Sequence, residues 1–546
     1  MKTRISIIFL IAAYFAPAAI AQPVATESGL VEGVQEGAIQ VFKGIPYAAP
    51  PVGELRWRAP QPAPAWRGAR STVAFSPICP QKGAYPEDSP PEPMSEDCLT
   101  LNVWTPSASP AQKVPVMVWI YGGGLVNGSA STPLYAGDRL AARGVAVVTF
   151  NYRIGALGFL AHPELNKESK HGGSGNYGLL DQIAALNWVR RNIAAFGGDP
   201  DQVTIFGQSS GAMSVSALVA SPLAKGLFRR AIGESGGIFE PVEIDPLFTP
   251  TGAAEAGVRF AGRAGAATLA DLRRLPVEKI IETRFHPQFN IDGYALTKAP
   301  FDAYAAGETN PVDILIGTNA DEGQYFLGKT AVTVANANEI LARDFPSWLV
   351  WIVGVTPGTT DAEARAAVAS FNGDMRFRWD MWAWARQAAA GRGRVFFYQF
   401  SRTPPFRDGD RYFGLGATHG MEMPYVFDHL DQQQVAWTAK DRELAAIIPT
   451  YWTNFAKTGN PNGTGLPQWP DFRTSRDQVM VLGDTTGPQT IPRADALERI
   501  DSVYATARFV SKNLYAVIGA ALFAIILVLA LLFRALRRLW RRARGH

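Results

Sequence analysis

The sequence predicts an α/β fold, and three segments predict it. Val203–Phe206 reads as a strand, and Ala212–Leu218 as the start of a helix. Between them lies Gly207-Gln208-Ser209-Ser210-Gly211. A Gly-x-Ser-x-Gly turn from strand to helix strains the serine backbone and lifts its hydroxyl clear of the sheet. The flanking positions are glycine because a Cβ there would meet the neighbouring elements. Val116-Met117-Val118-Trp119-Ile120 is a second buried-strand pattern and runs into Tyr121-Gly122-Gly123-Gly124. Val312–Gly317 is a third, followed by the loop Thr318-Asn319-Ala320-Asp321-Glu322-Gly323.

Each of these turns carries a residue type that nucleophilic catalysis needs. A serine hydroxyl is a weak nucleophile at neutral pH and requires a base within hydrogen-bond reach and a third group to orient that base. The chain has six histidines. In this class of fold the base follows the acid in chain order, and His546 lies in the basic C-terminal tail, which leaves His419 and His429. His419 sits in Gly416-Ala417-Thr418-His419-Gly420-Met421-Glu422, a glycine-flanked loop. His429 lacks that setting and reads as a surface residue. The acid belongs after the third strand, where Asp321 and Glu322 are chemically equivalent candidates. Consecutive glycines after an apolar strand turn backbone N–H groups toward a developing negative oxygen.

A wider set of motifs resembles the type-B carboxylesterase and lipase family, which includes the cholinesterases. Glu96-Asp97-Cys98-Leu99-Thr100-Leu101-Asn102-Val103-Trp104-Thr105-Pro106 and Phe196-Gly197-Gly198-Asp199-Pro200 are similar to the family's two signatures. Phe42–Ala48, Asn151-Tyr152-Arg153, Gly175–Gln182 and Tyr451–Ala456 match in order, so the resemblance covers about residues 25 to 500. It implies the α/β-hydrolase fold, with a mostly parallel central sheet flanked by helices, and one large domain in place of several. It implies a serine carboxylesterase acting through an acyl-enzyme, with no metal or organic cofactor. Ser209, Glu322 and His419 then match the catalytic triad, and Glu322 is favoured over Asp321. The backbone amides of Gly123, Gly124 and Ser210 match the oxyanion hole. Leu125, just after the glycines, is the pocket candidate.

Two positions depart from the family pattern. Gln208 stands where most relatives have glutamate, and Ser210 where most have alanine. Gln208 removes a carboxylate beside the nucleophile, and the loop between Cys79 and Cys98 contains no tryptophan. A quaternary ammonium needs such aromatic faces, so both features argue against a choline ester. Trp379-Asp380-Met381-Trp382-Ala383-Trp384 fits either an apolar pocket wall or a packed helix. The same fold also serves non-catalytic adhesion proteins and lipases or polyester hydrolases. The former lose the elbow serine, and the latter differ only in substrate.

The ends of the chain carry separate signals. Lys2 and Arg4 precede the apolar run Ile5–Ala16, and Ala19-Ile20-Ala21 is a small-x-small site. That is a signal-peptide pattern over residues 1–21, and the mature catalytic domain is expected over 22–510. Leu514–Phe533 is uncharged and long enough to cross a bilayer as a helix. A basic tail over 534–546 follows, with Arg534, Arg537, Arg538, Arg541, Arg542 and Arg544. Arginines flanking a span stay cytoplasmic, so the catalytic domain is expected outside the cytoplasm, periplasmic or extracellular. The formal charge is +4, with two cations in the leader and seven beyond Ser511. The body therefore carries about −5, which excludes a nucleic-acid partner and leaves a small ester and, through the tail, the membrane. The only two cysteines are Cys79 and Cys98. An exported compartment favours their pairing, and the family's N-terminal disulfide lies at the same motif positions. Clamping that Pro-rich loop contributes about 3 kcal/mol.

Overall fold

The computed structural model describes residues 21–83, 92–106, 111, 113–241 and 246–543. Leader residues 1–20, the prolines Pro86, Pro90 and Pro91 of the cysteine loop, and Arg544 and His546 lie outside the described residues. β1 (Val24–Thr26), β2 (Gly29–Glu32) and β5 (Ala69–Ser71) form a small three-stranded sheet. An eleven-stranded sheet contains β3 (Val34–Glu36), β4 (Ile39–Pro46), β6 (Thr100–Thr105), β7 (Val114–Ile120), β8 (Ala146–Phe150), β9 (Gly198–Gln208), β10 (Arg230–Glu234), β11 (Asp313–Asn319), β12 (Val395–Phe400), β13 (Gln478–Leu482) and β14 (Gly487–Thr490). Their order is β14-β13-β12-β11-β10-β9-β7-β8-β6-β4-β3. Pairing is parallel from β13 through β8 and antiparallel at both margins.

This is the predicted α/β-hydrolase architecture, and its burial explains the strand patterns. Val116, Met117, Val118, Trp119 and Ile120 are all fully buried. A central parallel strand is covered by helices on both faces, so it reads as a continuous apolar run without alternation. β9 is longer than its apolar stretch suggests and carries the chain up to Gln208. The principal helices are α1 (Tyr177–Asn192), α2 (Ser210–Ala220), α3 (Ser347–Val353), α4 (Asp361–Gly373), α5 (Trp379–Ala388), α6 (Ala439–Thr458), α7 (Ala494–Lys512) and α8 (Leu514–Ala543). α4 and α6 open on capping boxes, Thr360 with Glu363 and Thr438 with Asp441, each satisfying otherwise orphaned N–H groups. α6 closes on Gly459 at φ 70°, a left-handed position that glycine occupies without strain.

Cys79 and Cys98 form a disulfide, with Cα atoms 5.1 Å apart. Both are buried against the core. The tryptophan segment of α5 resolves into packing. Trp379 and Trp384 are fully buried, Tyr504 of α7 meets Trp379 edge-on at 4.5 Å, and Trp384 Nε1 donates to the Tyr304 hydroxyl. α8 stands apart from the body. Its segment Leu514–Trp540, whose most apolar 18-residue stretch has mean hydropathy 3.1, is long and apolar enough to cross a membrane.

Candidate active site

The serine turn is built by close approach of three strands. Ser209 is held at φ 57° and ψ −127°, a conformation that non-glycine residues rarely adopt and that surrounding structure must enforce. Its N–H donates to the Glu234 carbonyl at the end of β10 (2.8 Å), and its carbonyl accepts from Met213 in α2. A Cβ on Gly211 would lie 2.0 Å from the Ile120 carbonyl oxygen, and one on Gly207 would lie 2.7 Å from the same atom. Both glycines are therefore fixed by the distance from the elbow to β7.

The glycine loop follows directly from β7. A Cβ on Gly122 would lie 2.6 Å from the Gln208 carbonyl oxygen and 3.0 Å from Ser209 Cβ, so this loop packs on the elbow itself. Gly123 and Gly124 have φ of 111° and 63°. Leu125, also left-handed at φ 61°, is buried. Its N–H donates to Ser210 Oγ at 3.1 Å. The hydroxyl that distinguishes Ser210 from the family's alanine thus ties the glycine loop to the start of α2.

The two remaining triad candidates come from separate loops. His419 Nδ1 lies 2.7 Å from Glu322 Oε2. The other carboxylate oxygen, Oε1, accepts from the Asn319 N–H at 2.7 Å. Glu322 is fully buried and His419 nearly so. With an ionised Glu322, Nδ1 carries the proton and Nε2 is left as an acceptor. Asp321 has a different task. It accepts from the Ala417 N–H at 2.9 Å through Oδ2, while its own N–H donates to the Ala417 carbonyl. It therefore braces the loop that carries His419.

Several contacts around His419 have no trace in the local sequence pattern. Gln208 Nε2 reaches His419 Nε2 at 3.3 Å, so the neutral amide that replaces the family's carboxylate meets that ring nitrogen directly. Phe377 stacks on the imidazole with ring centroids 4.3 Å apart, and Phe326 and Tyr325 lie near its edges. Phe377 belongs to a π-helical turn, Asp374–Arg378, inserted between α4 and α5. Single π-helical turns are rare and concentrate at functional sites. Buried Asp374 pairs with Arg378 and with Arg493 and fixes the turn in place. The expectation that His429 is a surface residue is wrong. It is buried, and its ring nitrogens face the Leu134 carbonyl at 3.0 Å and Asp138 at 3.2 Å. It packs beside Phe427, and its partners lie away from Ser209.

A second buried carboxyl, Glu422, lies behind the pair. It accepts from Asn319 Nδ2, and the same side chain donates to the Thr418 carbonyl at 2.8 Å. Burial, reinforced by the charge on Glu322, pushes the Glu422 carboxyl up to about 7. A carboxyl raised in the folded state binds protons that the unfolded chain has released. Its stabilisation is complete below its ordinary value of 4.5 and is lost as pH rises through about 7. Glu422→Gln should therefore flatten the fall in unfolding free energy between pH 5 and 8, by on the order of 1–3 kcal/mol. Urea titrations of both proteins across that range would measure it. Parallel curves would rule out Glu422 as the titrating group.

Comparison with known proteins agrees with this geometry. The carboxylesterase family profile matches residues 21–499. A fumonisin B1 esterase of Sphingopyxis macrogoltabida is 40% identical, over 85% of this chain and 86% of that one. A para-nitrobenzyl esterase of Bacillus subtilis (strain 168) is 35% identical, over 88% of this chain and 98% of its own. A solved structure of a PNB esterase superposes with a TM-score of 0.75 at 34% identity, covering 88% of this chain and 99% of that one. A strained serine between the strands β7, β9 and β10, in a chain similar to esterases over most of its length, leads to one assignment: the chain belongs to the carboxylesterase family and is a carboxylic ester hydrolase.

Proposed function

We propose that the chain is a membrane-tethered serine carboxylesterase. Ser209 is the nucleophile, His419 the general base and Glu322 the group that orients it. The observation that carries this reading is the 2.7 Å contact from Glu322 to His419 Nδ1, which leaves Nε2 as the acceptor on the side of the elbow. In the reaction, Ser209 Oγ attacks the ester carbonyl and its proton passes to Nε2, displacing the Gln208 amide. The backbone N–H groups of Gly123, Gly124 and Ser210 hold the oxyanion. The alcohol departs with the proton from Nε2. Water, activated by the same nitrogen, then releases the acid and frees Ser209.

Leu125 and the aromatic rings of Phe326 and Phe377 beside the base favour an uncharged ester with an apolar acyl or aryl part. The neutral Gln208 offers no charge to a cationic alcohol. A panel of nitrophenyl esters of increasing acyl length tests this. kcat/KM should rise with apolar length before steric exclusion and exceed that for choline esters. A preference for choline esters would refute the pocket assignment.

The catalytic domain spans 22–510, and α8 anchors it with the domain outside the cytoplasm. The support is the apolar helix Leu514–Trp540 with its basic end and the disulfide. The full chain should fractionate with membranes, resist extraction by high salt, which screens only exposed charge, and be released by detergent. Protease added from the outer side should digest the esterase domain. Release by salt, or a domain protected on the cytoplasmic side, would refute the anchor or its orientation.

A further inference from the structure

The connection between the enzyme body and the apolar helix contains no linker. α7 is fastened to the body by Leu497, Ile500 and Tyr504, all buried, and by Arg508, whose guanidinium lies 3.5 Å from the Phe301 ring centroid. α7 ends at Lys512 and α8 begins at Leu514. The single residue between them, Asn513, donates its N–H to the Phe509 carbonyl in α7 and accepts from Val517 in α8. Helical hydrogen bonding therefore passes almost unbroken from the body into the proposed span.

Beside this junction the body exposes a large apolar face. A cleft of about 1020 Å³ lies here, away from Ser209, between α3 and α7. Its lining includes Trp348 and Ile352 from α3, Val503 and Val510 from α7, and Leu514, the first residue of α8. Trp351 on α3 is 81% exposed and Phe509 on α7 is 62% exposed. α3 is tied to α7 by Arg499, which donates to the Val353 carbonyl at 3.0 Å. The opposite end of the cleft carries Asp495, Glu498 and Arg499. The face is thus apolar toward α8 and charged away from it.

We infer that this α3–α7 face, with Trp348 in its cleft and Trp351 and Phe509 exposed on the same two helices, rests in the headgroup layer of the bilayer that α8 crosses. The inference depends on the membrane-anchor reading above. If hydrocarbon begins at Leu514, then Phe509, five residues earlier, lies within about 8 Å of it at 1.5 Å per residue. The headgroup layer is roughly 5–8 Å deep on each side. α3 meets α7 at Arg499, fifteen residues or about 22 Å along the helix before Leu514. Trp348 and Trp351 therefore reach this layer with α7 lying close to the membrane plane, turned from α8 at the non-helical Asn513 (φ −122°, ψ 24°). Tryptophan is enriched at this depth because its ring is apolar and its N–H is polar. Burial of the face in the interface removes the aromatic exposure that a soluble surface would leave in water, and it fixes the body in one orientation on the membrane.

The test uses the full chain in phosphatidylcholine vesicles. Both native cysteines are in the disulfide, so Trp351→Cys and, separately, Trp348→Cys each introduce one thiol for an environment-sensitive fluorophore. Glu36→Cys, in β3 at the far edge of the sheet from β14, serves as the control. Wild-type hydrolysis of a nitrophenyl ester verifies the fold of each labelled protein. Lipids with a nitroxide high on the acyl chain should quench the label at 351 or 348 at least about two-fold, and the label at 36 not at all. Floating with the vesicles but no quenching at 351 or 348 would overturn the docked face while sparing the anchor. Energy transfer between labels on different copies, without lipid quenching, would overturn it in favour of a protein–protein contact. Failure to float would overturn the anchor and the docked face together.

Discussion

Ser209→Ala is expected to lower kcat by about 10⁴–10⁶-fold without changing the fold. The expectation follows from the elbow. The φ of 57° and the bond from the Ser209 N–H to Glu234 are backbone features that alanine retains, so only the hydroxyl is lost. Its neighbour Ser210 is not a replacement nucleophile, because its Oγ accepts from the Leu125 N–H and it is buried at the start of α2. An organophosphonate should label Ser209 alone, read by mass spectrometry of the digested protein. Labelling at Ser210, or substantial turnover in the alanine variant, would refute the assignment.

Glu322→Gln is the second large effect, about 10³–10⁴-fold in kcat, as expected when a triad base is held in the wrong tautomer. The direction of the amide is dictated by Asn319. The oxygen at Oε1 must stay to accept the Asn319 N–H, so the new NH₂ faces His419 Nδ1. That nitrogen becomes the acceptor, Nε2 takes the proton, and the base is blocked. Asp321→Asn should cost less than about tenfold, since its amide oxygen can still accept from Ala417 and brace the loop. Steady-state kinetics on both variants decide the matter. A more damaging Asp321→Asn would move the orienting role from Glu322 to Asp321.

The parts of this site that could be read from sequence are those made by contiguous backbone. The glycines at 207 and 211 record how near β7 runs to the elbow, and the glycines after Ile120 record the turn beside it. Val116–Ile120 of β7 and Val203–Phe206 of β9, which position them, are continuous apolar runs because both sheet faces are covered. What could not be read is made by side chains meeting across long stretches of chain. Gln208 touches His419, which is 211 residues away, and nothing local marks the encounter. The π-helical turn Asp374–Arg378 that brings Phe377 onto the imidazole joins two helices, Asp361–Gly373 and Trp379–Ala388, and no local motif marks it. His429 reads as polar and therefore external, yet it is buried because the Leu134 carbonyl and Asp138 supply both its ring nitrogens with partners. Burying a polar ring is cheap only when such partners exist, and those partners lie nearly three hundred residues upstream.

The strained serine also has a bearing on when this protein becomes an enzyme. The backbone twist at Ser209 is imposed by Ile120, Glu234 and the glycines wedged between them, and these belong to three strands that are far apart in sequence. In a loose or partly assembled chain nothing holds that twist, and the residue relaxes to ordinary geometry with its hydroxyl misaimed. Hydrolytic power is therefore an all-or-none property of the completed sheet. A nascent or unfolded chain carries every reactive side chain but lacks the geometry to use them until the strands close.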